Sequence, residues 1–424
     1  MAGPLPPHLL PDGATTDAGG RLAVAGCDLV ELAGRFGTPL IVYDEDHLRA
    51  RCREATAVFG DGGVVYAAKA FLCRAMVELV HTEGLCLDVS TGGELHVALA
   101  AGFPPERLVL HGNNKSPDEL AAAVEAGVGR IVVDSLDELD RLDALAAERG
   151  CRPAVLLRIT PGVEAHTHVY LTTGRDDSKF GFTVSSGAAT AAVERARSAA
   201  SVDLRGIHAH IGSQVFRLDS FAGAVAVVAG FANPLGLDEL SVGGGLGVAY
   251  VTGEEAPPIA AWGETVLDAA AAAGVTARLS VEPGRAITAS AAIALYTVGT
   301  VKELPGIRTY VAVDGGMSDN PRPVLYGSGY EAFLPRAAAA ERPRAVSVVG
   351  KHCESGDILV ADGRVPQDLA VGDVLGVPVA GAYGYAMASN YNKVPRPAVV
   401  FVRNGEARPV IRRETYDDLL RLDL

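Results

Sequence analysis

The stretch Val64-Val65-Tyr66-Ala67-Ala68-Lys69 decides how this chain is read. It is an apolar, β-branched run without alternation, and such a run is a strand buried on both faces. It ends on one lysine, and the next residues, 71–80, have helical spacing. In an α/β protein the carboxyl end of a parallel strand is where ligands bind. A lysine there can serve as a point charge for an anion or, kept neutral, as an amine that attacks carbonyls. From this stretch alone the plainer reading is a strand-end lysine that reaches solvent.

The same pattern recurs seven times along the chain. Residues 85–87 run into Asp88-Val89-Ser90-Thr91-Gly92-Gly93, 107–110 into His111-Gly112-Asn113-Asn114, 130–133 into Asp134, and 154–157 into Arg158. Further on, 205–209 run into His210-Ile211-Gly212-Ser213, 240–242 into Gly243-Gly244-Gly245, and 278–281 into Glu282-Pro283-Gly284-Arg285. Most of these runs are followed by an Ala/Leu-rich helical stretch. Two of those helices open on N-cap serines, Ser116 and Ser135, each three residues before a glutamate, Glu119 and Glu138, which is the capping-box spacing. Strands alternating with helices give parallel βα units, and eight of them give a closed (β/α)8 barrel of the TIM type. An open doubly wound sheet is the alternative, but a G-x-G-x-x-G turn after the first strand is missing.

Past residue 290 the rhythm changes. Residues 293–301, 308–313, 345–349, 357–360, 373–379 and 398–402 are strand-like with few helices between them, and Asn404-Gly405 before 407–411 is a hairpin signal. Three segments are expected. Residues 1–38 pack with the C-terminal β domain and contribute a strand near 21–26 to it, with the segment near 39–43 a further candidate; 39–290 form the barrel; 291–424 form a mainly β (barrel or sandwich) domain that completes the active site. Residues 1–20 read as disordered or extended, and 28–35 as a short helix stopped by Gly37.

Composition narrows the class. In 424 residues, 49% hydrophobic and 21% charged content is ordinary for a globular protein, and the length suits two domains or a barrel with an addition. A net charge of −14 argues against nucleic acid or a membrane surface as partner. Six cysteines without paired spacing read as reduced thiols. The N-terminus lacks a basic region followed by an apolar core, and the uncharged run near 221–237 carries Gly, Asn and Pro and falls short of a clean membrane span. A cytoplasmic protein is expected.

If the barrel is right, the polar strand ends converge on one rim. Gly243, Gly244 and Gly245 expose backbone N–H groups that suit a phosphate, or simply make a tight turn. Ser213 could add a hydroxyl to the same phosphate. Glu282 could hold a proton on a heteroaromatic nitrogen, or pair with an arginine. His210 could stack on a planar ring, or be a hydrogen-bonded structural residue; His208, on the same strand face, reads as structural. Asp88 and Arg158 read as a charge pair. A lysine, a phosphate cradle, a ring-stacking histidine and a carboxylate for a ring nitrogen together describe a pyridoxal phosphate site. No metal site is expected.

These residues lie in longer stretches that resemble the fold-type III pyridoxal-phosphate decarboxylases, most closely the diaminopimelate decarboxylases. The stretches are YAAKA at 66–70, DVSTGGEL at 88–95, HGNNKS at 111–116, SKFG at 178–181, GIHAHIGSQ at 206–214, GGGLGVAY at 243–250, EPGR at 282–285, VDGGMSDNPRPVLY at 313–326, GKHCESGD at 350–357 and GAYGYAMASNYN at 381–392. They cover roughly 20–424. The resemblance implies a Schiff base between Lys69 and the cofactor, with His210 on the ring face, Ser213 and Gly243 to Gly245 at the phosphate, and Glu282, in Glu282-Pro283-Gly284-Arg285, at the pyridine nitrogen. It implies that Arg285, Arg322 and Tyr326 grip the far end of the substrate, that Cys353 donates a proton with Glu354 as a substrate ligand beside it, and that Tyr383 touches both cofactor and substrate. In this family Cys353 and Glu354 come from the other subunit, so a homodimer with active sites at its interface is implied. The implied reaction is decarboxylation of meso-2,6-diaminopimelate to L-lysine, the last step of bacterial lysine biosynthesis. Decarboxylation of ornithine, arginine or carboxynorspermidine, and a non-catalytic pyridoxal phosphate carrier, are the alternatives. Ala68 and Phe71 depart from the family's lysine motif, and the segment 221–239 reads as compact, with a short helix; both could alter pocket shape.

Overall fold

The structure is a computed structural model and describes residues 3–162 and 177–424. The chain divides into two compact units, Met1–Ala50 with Val248–Glu255 and Ile287–Leu424, and Arg51–Gly247 with Ala256–Ala286. Three short strands, β1 (Ala14–Thr16), β2 (Leu22–Val24) and β3 (Cys27–Asp28), form an antiparallel sheet of their own. The expected N-terminal strand is therefore present as β2, but its partners are β1 and β3. Ala25 and Gly26, with φ of 48° and 82°, reverse the chain at once and bring β3 back beside it. Residues 3–20 are more ordered than expected, because Leu5 and Leu9 are buried in the core of their unit; residues 1 and 2 lie outside the described residues. The helix Leu29–Phe36 follows, capped by the Asp28 side chain. Then β4 (Leu40–Asp44), beyond the expected boundary at 38, runs between two strands of the large β sheet described below.

The second unit is the barrel. Its strands are β5 (Val65–Ala67), β6 (Cys86–Val89), β7 (Leu108–Leu110), β8 (Arg130–Val133) and β9 (Ala154–Thr160), the two-residue β10 (Phe182–Thr183) beside β9, then β11 (Asp203–Ala209), β12 (Glu239–Ser241) and β13 (Arg278–Ser280). All neighbours are parallel. The ring closes where Val65 N–H donates to Val281 O and Val281 N–H to Gly63 O, both at 2.9 Å. Eight parallel strands closed this way put every strand's carboxyl end on one rim.

The helices follow their caps. Ser116 and Glu119 make a reciprocal capping box. At Ser135 only half forms: its hydroxyl accepts from Glu138 N–H, but the Glu138 carboxylate turns inward to Lys115 Nζ at 2.7 Å, a buried pair. The helix expected to be short is a full Leu218–Ala232. With the turn after it, it is apolar and long enough to cross a membrane by length and composition. Its buried residues Phe221, Ala224, Val225, Val228, Ala229 and Ala232 fall at three- and four-residue spacing, and Phe221 meets Trp262 of the next helix edge-on at 5.8 Å. That is the single buried stripe of an outer barrel helix.

The other unit's large sheet is completed by β14 (Ala292–Leu304), β15 (Arg308–Val313), β16 (Arg344–Val349), β17 (Ile358–Val365), β18 (Val374–Val377), β19 (Ala398–Arg403) and β20 (Glu406–Ile411), in the order β17-β16-β15-β14-β4-β19-β20 with β18 on β14. Asn404 and Gly405 have φ of 52° and 78°, the two positive values that a two-residue hairpin turn demands. Beneath the sheet lies an apolar core that includes Val42, Ile293, Leu295, Val311, Phe333, Val348, Leu375 and Val400.

Candidate active site

At the barrel rim Lys69 sits in a single turn, Ala68–Ala70, directly after β5. Its neighbours are buried while Lys69 is exposed, so the turn presents the amine at the strand end. Tyr66 O–H pins this turn by donating to Phe71 O at 2.7 Å. Gly284 packs closely beside it: a Cβ there would lie 3.0 Å from Ala67 Cβ and 3.2 Å from Ala70 Cβ. Pro283 O accepts from Ala67 N–H. The two departures from the family motif, Ala68 and Phe71, are wholly buried.

Glu282 is the most elaborately held group. Its Oε2 meets His208 Nε2 at 3.0 Å and its Oε1 accepts from Ser241 O–H at 2.9 Å. Burial alone would push this carboxyl up, but the neighbouring His208 and His111, the His208 hydrogen bond and His210 hold it well below the usual carboxylate range. His208, expected to be merely structural, thus orients Glu282. His111 is buried with its Nε2 3.5 Å from Glu282 Oε1 and 3.9 Å from Asp88 Oδ1, its ring edge-on to His208 at 4.9 Å. Among the described residues that Nε2 has no hydrogen-bond partner, and burial keeps the imidazole neutral. Sequence reasoning left His111 unassigned, though it closes an apolar run like the rest. His111, His208 and Glu282 each bring a ligand atom within 4.8 Å of the others, a spacing a metal ion could use. The nearby charges of Lys69 and Arg158, which help keep His111 neutral, oppose a cation there.

His210 Nδ1 accepts from Gly244 N–H at 3.2 Å, which leaves the ring proton on Nε2. Burial, then the charges of Lys69 and Arg158, keep it neutral. All three glycines are obligatory: a Cβ on Gly243 would lie 2.5 Å from Ala209 O, on Gly244 2.1 Å from Glu282 O, and on Gly245 2.3 Å from Gly212 O. The Gly243 amide donates to Ser241 Oγ, while among the described residues nothing accepts from the Gly245 N–H. Arg285, buried, donates from Nη2 to Ser213 Oγ at 2.9 Å. Asp88 is pushed up to about 8 by burial, against the Lys69 charge and with Glu282 and Glu94 adding to the rise. The expected Asp88–Arg158 pair does not form as such. Arg158 meets Asp134 at 3.7 Å, because β8 and β9 are neighbours whereas β6 is two strands further on. Phe180 lies under the Arg158 guanidinium at 4.3 Å and Gly181 N–H donates to Asp134, which accounts for the 178–181 motif.

The remaining candidates belong to the other unit. Arg322 is buried, stacks on Tyr250 at 4.2 Å and donates to Tyr330 O–H and to Ser328 Oγ. Tyr326 ends the same short helix, half-buried. Tyr383 is half-buried with φ of 60°. Cys353 and Glu354 are exposed, and Tyr391 O–H donates to Glu354 Oε1.

Residues 45–289 match the family model described as "Pyridoxal-dependent decarboxylase, pyridoxal binding domain". The chain is 50% identical over 440 aligned residues to a diaminopimelate decarboxylase of Mycobacterium tuberculosis (strain ATCC 25618 / H37Rv), covering 99% of this chain and 98% of that one. It belongs to the diaminopimelate decarboxylase family. The Bacillus subtilis (strain 168) decarboxylase is 46% identical, with 96% and 95% covered. The crystal structure of the decarboxylase from M. jannaschii in co-complex with L-lysine superposes with a TM-score of 0.91 at 31% identity, over 98% of both chains. Pyridoxal phosphate is the cofactor of this decarboxylase family, and the barrel rim fits it: an amine at a strand end, an ionised buried carboxylate, a neutral imidazole, and a glycine turn with an amide left open. Among the described residues the buried His111 Nε2 at the same rim has no hydrogen-bond partner.

Proposed function

We propose that this decarboxylase converts meso-2,6-diaminopimelate to L-lysine and CO2, the last step of bacterial lysine biosynthesis, with pyridoxal phosphate attached to Lys69. The observation that carries the reading is identity at half of all positions, over nearly the whole length, to proteins named for this activity. When bound, the cofactor supplies the electron sink for the breaking bond. Everything else falls to the chain's own groups. Glu282, kept ionised, accepts from the ring-nitrogen proton and so holds that proton in place. His210 packs against the ring. Ser213 and the backbone of Gly243, Gly244 and Gly245 receive the phosphate, with Pro283, Gly284 and Arg285 framing that turn.

Arg285, Arg322 and Tyr326 take the carboxylate and amine at the far end of the substrate, and Tyr383 touches both substrate and cofactor. Cys353 donates the proton that replaces the lost carboxyl group, with Glu354 beside it. In this reading the barrel unit, Arg51–Gly247 with Ala256–Ala286, binds the cofactor. Cys353 and Glu354 act in the partner subunit of a cytoplasmic homodimer. A substrate that ends in an amine alone would offer Arg285 and Arg322 no carboxylate to accept from them, a mismatch that costs about 10^4 in kcat/KM.

The test is an assay of purified protein with pyridoxal phosphate and either meso-diaminopimelate or ornithine. Lysine and CO2 from the first, with ornithine slower by orders of magnitude, is the expected result. Turnover of ornithine without lysine formation overturns the reading.

A further inference from the structure

Cys353 is exposed, yet the residue directly before it is held in a buried polar frame. Asp357 is buried, and its Oδ1 accepts from Met317 N–H at 2.6 Å while its Oδ2 accepts from His352 N–H at 2.9 Å. One carboxylate thus ties the loop 350–357 to the loop 314–320. The glycines around it are shaped to that carboxylate: a Cβ on Gly316 would lie 2.7 Å from both Asp357 oxygens, and one on Gly350 would lie 2.2 Å from Oδ2. Asp319 braces the second loop by accepting from Gly316 N–H at 2.8 Å and from Tyr296 O–H at 2.6 Å.

His352, directly before the cysteine, is also buried. Its Nδ1 is 3.0 Å from Asn392 Oδ1 and its Nε2 is 2.8 Å from Ser318 Oγ. An amide oxygen only accepts, so with Asn392 placed this way Nδ1 donates and Nε2 accepts from the serine hydroxyl. The His352 ring also packs on Tyr391, centroids 5.3 Å apart, and Tyr391 O–H reaches Glu354. Burying a carboxylate and a doubly bonded imidazole is costly. A surface loop that served only as a connection would not require it.

We propose that His352 and Asp357 are positioning residues, which present the Cys353 thiol and, through Tyr391, the Glu354 carboxylate at a fixed geometry for proton delivery. The step is simple in balance. The Cys353 S–H bond breaks, its proton takes the place of the lost carboxyl group on the substrate, and the thiolate is reprotonated from water. The inference rests on the acid role of Cys353 in the proposed function.

A double-mutant cycle in the holoenzyme tests it. His352→Ala should lower kcat about 10- to 100-fold, the order of a mispositioned proton donor, while KM for meso-diaminopimelate and the bound pyridoxal phosphate content stay within about twofold of wild type. His352→Gln, which keeps a donor and an acceptor, should recover most of that loss. In a Cys353→Ala background, His352→Ala should have no further effect on kcat. Equal losses in both backgrounds would mean a general structural role and overturn the inference, as would wild-type kcat for His352→Ala. If His352→Ala does not fold, Asp357→Asn, which keeps one accepting oxygen, goes through the same cycle: a loss confined to the Cys353 background supports the inference, and equal losses overturn it. Full activity of Cys353→Ala alone would instead sink the acid role itself, so the two failures are distinguishable.

Discussion

The two ends of the barrel hold the same kinds of side chain in opposite states of balance. At the amino ends of the strands the arginines are paired with carboxylates. Arg130 grips Glu239 with two nitrogens, Arg278 joins them at 3.2 Å, and Arg107 meets Asp61 at 2.9 Å. With Cys86 and Glu106 they line a cavity of about 240 Å³. For the paired groups there the shifts favour the charged forms: burial works against Glu239, but Arg130 and Arg278 bring its carboxyl below the usual range, while burial pushes the Cys86 thiol up. At the carboxyl ends burial wins instead, pushing Asp88 up and His111 and His210 down, and of these four groups it is overcome at Glu282. Matched pairs hold a barrel together, and mismatched groups on the carboxyl rim do chemistry. Removing one group from each end separates the two cases.

The largest effect belongs to Lys69. Lys69→Ala removes the amine that attaches the cofactor, so kcat/KM should fall by about 10^4 or more, and the visible absorbance of the purified protein should vanish while its melting temperature barely moves. An active, coloured Lys69→Ala protein would mean that the rim does not work as proposed. Next is Glu282→Gln, which keeps the size of the group and one of its two accepting oxygens but removes the charge. The coloured protein should persist, with kcat lower by about 10^2 to 10^3, the cost of one preorganised electrostatic partner. Unchanged kcat would show that the ionised state of Glu282 is not used.

The sequence is most legible where a residue closes an apolar run. Lys69, Glu282 and Gly243 to Gly245 are readable because a buried strand must end and a parallel barrel aligns its ends. Partner choice is much less legible. Arg158 pairs with Asp134 because their strands are neighbours in the sheet, a fact of strand order that spacing along the chain does not carry. His208 and His210 share a strand face by simple alternation, yet only the strand order brings His208 to Glu282, from β11 across β12 to the end of β13. The frame around Cys353 is further out of reach. Its bonds join residues 316–319, 352–357 and 391–392, and nothing in the local pattern of any one segment announces the other two.

The smallest effect tests the matched end. Glu239→Gln leaves Arg130 and Arg278 without their shared carboxylate, and should cost about 1–3 kcal/mol of stability, the range for a lost hydrogen bond to a charged group, with kcat unchanged. The pH dependence fixes the cause. The Glu239 carboxyl is depressed in the folded protein relative to its ordinary value of 4.5. Its stabilisation is therefore full above about pH 5 and is lost as the pH falls through the lower, folded value. Denaturant titrations of wild type and Glu239→Gln should differ most from pH 6 upward and converge as the pH drops below about 4. A gap that stayed constant down to that pH would assign the loss to packing rather than to charge, and would remove the contrast between the two ends on which the reading of the rim depends.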